Sequence, residues 1–146
     1  MGADPRQTSK QIEVLFLAVA WISSMCCLIR TDFNFAFSLF GYYLWISRDD
    51  KANSMMLIIM NAVLILVDII WLLAVSSVWT TQTNNDAWNS LRGLHIFALI
   101  FSVVNVIIKI IITILINSYR STQNNDYVSN IQGQNPQLGG YSIVQH

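Results

Sequence analysis

Residues 54–79, SMMLIIMNAVLILVDIIWLLAVSSVW, and residues 94–116, LHIFALIFSVVNVIIKIIITILI, decide how this chain folds. As helices at about 1.5 Å per residue they reach about 39 and 35 Å, beyond the ~30 Å hydrocarbon core of a bilayer. Each carries a single strongly ionised residue at bilayer depth, Asp68 in the first and Lys109 in the second. Such groups are costly in lipid, so each calls for a partner or a role.

Two weaker apolar stretches precede them, 12–29 and 33–47, whose helical lengths of about 27 and 22 Å fall short of the same core. Only Arg30, Thr31 and Asp32 separate the pair, which suits an antiparallel helical hairpin. The expected fold is therefore all-α: a polytopic membrane bundle of four hydrophobic helices, 12–29, 33–47, 54–79 and 94–116. A three-crossing arrangement, with the first two stretches forming one broken or re-entrant unit, stays open. Residues 1–11 read as a cytosolic N-terminal segment. Residues 117–146, rich in Asn, Gln, Ser and Gly, hold too few apolar side chains to build a core and read as a disordered cytosolic tail.

Composition agrees with a lipid environment. The chain is 54% hydrophobic and 11% charged, and its eight Lys and Arg balance eight Asp and Glu; soluble domains run to roughly a quarter charged residues. With no basic cluster, the electrostatic footprints of a nucleic-acid binder and of a polybasic lipid patch are both missing. Arg6, Lys10, Arg48, Lys51 and Arg120 fall on one side of a four-helix topology and Arg30 and Arg92 on the other, which favours cytosolic termini. Trp21, Trp45, Trp79 and Trp88, with Tyr42, Tyr43 and Tyr119, cluster near segment ends and read as headgroup-level anchors. Cys26 and Cys27 are vicinal within an apolar run and match no zinc spacing; reversible palmitoylation is the alternative to plain helix residues.

The polar side chains within the two long helices form stripes. Ser54, Asn61 and Asp68 recur every seven residues; Ser102, Asn105, Lys109 and Thr113 recur at three and four. Each set lies on one helical face. In an antiparallel hairpin the stripes match in depth, so they are expected to face each other, with Lys109 bending toward Asp68 or Asn61. A packing seam is the plainer reading. A small ion- or proton-conducting protein using Asp68 and Lys109 is the alternative, although the segments hold no internal proline and the chain lacks the repeats usual in transporters.

Enzymatic chemistry has little foothold. His95 and His146 lack metal-ligand spacing, and His95 reads as an interfacial residue; no phosphate loop or nucleophile elbow occurs. Arg48, Asp49, Asp50 and Lys51 read as a solvated cytosolic turn. The expectation is no enzyme, no cofactor, no metal and no small-molecule substrate. In the tail, Tyr141-Ser142-Ile143-Val144 fits the Tyr-x-x-apolar pattern that clathrin adaptors take up as an extended strand, making Tyr141 and Val144 a candidate sorting signal.

Over residues 34–120 the chain resembles the type-1 angiotensin II receptor-associated protein family. The residues that carry the likeness are Asn34-Phe35, Gly41, Arg48-Asp49, Ser54-Met55, Asp68-Ile69, Lys109 and Tyr119-Arg120, in that order and mutual spacing. The resemblance implies a non-enzymatic membrane adaptor of the endoplasmic reticulum, Golgi, endocytic vesicles and plasma membrane. Through its cytosolic tail it would bind a seven-helix receptor and modulate its trafficking, internalisation and signalling. Family members are described with three crossings, where the segment count here gives four. The match stops at Arg120, so no receptor-binding residue carries over to the tail.

Overall fold

The structure, a computed structural model, describes residues 5–47, 51–82 and 85–134, with side chains described for all of these except 51–52 and 125–134. Four helices follow in chain order: α1 (Pro5–Cys26), α2 (Asn34–Ile46), α3 (Lys51–Thr80) and α4 (Asp86–Gln134). Long runs of Ile, Leu and Val form helices here because lipid offers no hydrogen bonds and the backbone must satisfy itself within each segment. Among the described residues three stretches are long and apolar enough to cross a bilayer: Pro5–Cys26, Asn53–Thr80 and Asp86–Asn124. This makes the chain a helical membrane protein. At 13 residues, α2 reaches only about 20 Å and is not among them.

Local chemistry sets the helix ends. After Cys26 the backbone N–H groups of Ile29 and Arg30 both donate to the Cys26 carbonyl at 3.0 Å. Asp32 Oδ1 then accepts the N–H of Asn34 at 3.0 Å where α2 begins. Asn85 caps α4, its Oδ1 accepting the N–H groups of Ala87 and Trp88 at 3.0 and 3.2 Å, and Asp86 places negative charge in the first turn, as the helix dipole favours.

The helices run on past the apolar boundaries expected for them. α1 begins at Pro5 rather than residue 12, and α4 begins at Asp86 rather than 94. α4 also passes the expected tail boundary at 117 and is helical as far as Gln134. Tertiary contact carries it through: Tyr119 is buried against Trp45, with ring centroids 5.3 Å apart and edge-on. The remainder of the expected tail lies outside the described residues.

α1 and α3 flank α4, and α2 packs on α1 and α3. On α4 the buried positions Ala98, Ser102, Asn105, Lys109, Ile112, Ile116 and Tyr119 alternate by four and three as one continuous stripe, which His95 extends and Leu99 widens. α1 presents Ile12, Phe16, Val19, Ser23 and Cys26 with the same rhythm. The apolar core joins Ile12, Phe16 and Val19 with Trp45, Leu57, Ile112, Ile116 and Tyr119. Gly41 lets α2 close on α1, since a Cβ there would sit 2.6 Å from Phe16 Cε1.

Trp45 and Tyr119 thus depart from the anchoring role read from their positions. Trp45 is fully buried, its Nε1–H donating to the Ser9 carbonyl at 3.2 Å, because the hairpin folds the C-terminal turn of α2 against the starts of α1 and α3. Trp21 and Tyr43 remain outward-facing. Away from the stripes the surface is Ile, Leu, Val, Met and Phe, including Met56, Val63, Leu66, Leu73 and Ile114, a coat suited to acyl chains rather than water.

Candidate functional site: a buried polar knot

Between the turn joining α1 to α2 and the midpoints of α3 and α4, the apolar interior gives way to polar groups. Lys109 comes from the buried stripe of α4 and is 2% exposed. Its Nζ donates to Asp68 Oδ2 at 2.6 Å and to Asn34 Oδ1 at 2.5 Å. Asn34 returns its own amide to the same carboxylate, Nδ2 donating to Oδ1 at 3.0 Å and to Oδ2 at 3.2 Å. Three helices therefore converge on one Lys–Asp–Asn triangle in which the ammonium and carboxylate neutralise each other. Ser38, one turn into α2, donates to the Asn34 carbonyl at 2.5 Å and steadies that end of the helix.

A second charge pair lies beside the triangle. Arg30 Nη2 sits 3.6 Å from Asp32 Oδ2 and donates to Ser102 Oγ at 3.1 Å. Its guanidinium carbon lies 3.6 Å from the centroid of Trp71, a cation–π geometry that strengthens as water is removed. The formal charges of Lys109, Asp68, Arg30 and Asp32 sum to zero. Asn34 lies level with Asp68, so α2 begins about 18 Å short of Thr80, the end of α3, at 1.5 Å per residue. The hairpin of α1 and α2 turns well inside the span of α3 and α4.

The expected seam is only partly assembled as a contact of α3 with α4. Asp68 and Lys109 do meet. Asn105 turns instead to α1, donating from Nδ2 to Ser23 Oγ at 2.9 Å. Ser102 accepts from Arg30 and donates to the Ala98 carbonyl at 2.7 Å, and Thr113 bonds back to the Lys109 carbonyl at 2.9 Å. Ser54 and Asn61 are buried on the inner face of α3, yet Asn61 Nδ2 has no hydrogen-bond partner among the described residues. The stripes diverge because α4 is sandwiched between two helices and its seven-residue stripe is wide enough to serve both.

Asn34, Ser38, Arg30, Asp32, Trp71 and Ser23 are the members that the sequence reading did not place in the site. Asn34 was legible as a lone amide in an apolar segment. The stacking of Arg30 on Trp71 had no sequence signal. His95 is also corrected: it is buried between Trp79 and Trp88, ring centroids 4.8 and 4.5 Å away, because the α3–α4 hairpin closes over it. Cys26 and Cys27 are free thiols, the first buried and the second exposed. Arg48, Asp49, Tyr141 and Val144 lie outside the described residues.

Helices joined by a neutralised polar interior and coated in apolar side chains define the class of polytopic helical membrane bundles. Compared with known proteins, no family model, curated protein or solved structure matches the chain.

Proposed function

We propose that this chain is a non-enzymatic membrane adaptor that binds a seven-helix receptor and modulates its trafficking, internalisation and signalling. The observation that carries the reading is the exposure of α3. Its inner face engages the bundle through Ser54, Leu57, Asn61 and Asp68, while Met56, Ile59, Val63, Leu66, Ile70 and Leu73 point outward. A rigid apolar helix held in place by an internal ion pair is a surface on which another membrane helix can pack by van der Waals contact. The resemblance over residues 34–120 to the type-1 angiotensin II receptor-associated family supplies the receptor class, the endomembrane and plasma-membrane location, and clathrin adaptors as candidate tail partners.

The conducting alternative has one supporting feature, a recess beside Lys109 lined also by Asn34, Ser38 and Asn61. Its volume of about 10 Å³ is room for roughly one water, and Phe16, Val19, Leu64 and Ile112 wall it in. That space suits a closed polar interior better than a path.

Co-purification in mild detergent of the full chain with a co-expressed type-1 angiotensin receptor tests the adaptor reading. Recovery should fall when Leu66 and Ile70 are replaced by Trp on the outer face of α3, or when residues after Arg120 are removed. Failure of the full chain to retain the receptor overturns it.

A further inference from the structure

A groove of about 540 Å³ opens between α1 and α4 at the end of the bundle where both Pro5 and Tyr119 lie. Volumes of roughly 300–1,000 Å³ are typical of small-molecule sites. Its rim is polar and cationic, made by Gln7, Lys10 and Gln11; its walls, deeper along α1 and across on α4, are Val14, Leu15, Ile111 and Leu115. Lys10 is exposed and forms no ion pair among the described residues.

We infer that this groove is a binding site for an anionic phospholipid, whose acyl chain lies along Val14, Ile111 and Leu115 and whose phosphate meets Lys10. The order of chemistry along the groove is that of the ligand: a cation and two amide donors at headgroup level, then only hydrocarbon. Lysine near the membrane surface attracts acidic lipid, and basic pockets between helices are suited to such head groups. Glu13 lines the adjoining recess with Arg6, Ser9 and Lys10. With Arg6 and Lys10 positive and Glu13 negative, the recess carries one net positive charge, which matches a single phosphodiester rather than a polyphosphorylated head group. A transmembrane helix of a partner would fill the apolar walls but leave the Lys10 charge without a counterpart.

The full chain, purified in detergent micelles, is titrated with dioleoylphosphatidylglycerol or dioleoylphosphatidylcholine, and bound lipid is counted by native mass spectrometry. The glycerol lipid should bind one to one and more tightly than the choline lipid. Lys10→Gln should weaken it about fivefold, whereas Arg92→Gln, at the opposite end, should not. Leu115→Trp, which fills the groove, should abolish retention of both lipids. Equal retention of the two lipids by the unaltered chain, or phosphatidylglycerol binding untouched by Lys10→Gln, overturns the inference. So does self-association that Leu115→Trp blocks while lipid binding persists, which assigns the groove to a second helix.

Discussion

Lys109 Nζ lies 2.6 Å from Asp68 Oδ2 although the residues are 41 apart in the chain. Each stands on a different long helix, and both are almost fully enclosed, with side chains 2% and 8% exposed. The two helices run antiparallel: Trp79 meets His95 at one end, and Arg120 reaches Met55 at the other. A pair in this setting acts as a rivet whose removal is felt by three helices.

Lys109→Met removes the ammonium and leaves the Asp68 carboxylate buried with only the Asn34 amide. Breaking one side of a buried pair costs about 3–5 kcal/mol. The double change Lys109→Met with Asp68→Leu should recover much of that loss. Thermal unfolding in detergent checks both, and a double variant no more stable than the single would contradict the rivet.

Asn34 bridges both charges, so Asn34→Ala should destabilise by about 1–3 kcal/mol, the cost of unsatisfied buried groups. Its effect should not add to that of Lys109→Met. A double-mutant cycle is expected to return a coupling of about 0.5–3 kcal/mol; strict additivity would place Asn34 outside the knot.

Asn61 makes the opposite case. Its Nδ2 is buried without a partner among the described residues, a desolvation cost with no bond in return. Asn61→Leu should leave stability unchanged or raise it by about 1 kcal/mol. A clear loss on chemical denaturation would mean that the amide is in fact satisfied, for example by water in the adjacent recess.

Gly41→Ala would put a methyl 2.6 Å from Phe16 Cε1. Phe16 is 2% exposed and packed within the core cluster, so overpacking should cost about 1–3 kcal/mol. Phe16→Leu in the same chain should restore part of it. Rescue measured by trypsin resistance in micelles separates this clash from a helix-propensity effect, which would favour alanine.

The sequence by itself determined the all-helical membrane class, the two long helices and the need for Asp68 and Lys109 to find each other. Lipid removes the competing options: a spanning backbone must be a helix or a closed barrel, continuous apolar runs of this length fit only the helix, and an isolated charge at that depth calls for a partner. The register of Ser54, Asn61 and Asp68 on one face followed from the helical period alone, and all three are buried on that face.

Only the tertiary structure decided which third residue completes the pair, that Trp45 and Tyr119 belong to the core, that His95 is enclosed, and that α4 continues to Gln134. The first two depend on how far the α1–α2 hairpin is set along α3 and α4. That offset is a rigid-body relation between two helical pairs, fixed by contacts such as Asn34 on Asp68 and Arg30 on Trp71. A local pattern of apolar and polar residues repeats every turn and is compatible with several such offsets, so it could name the faces but not the depth at which they meet.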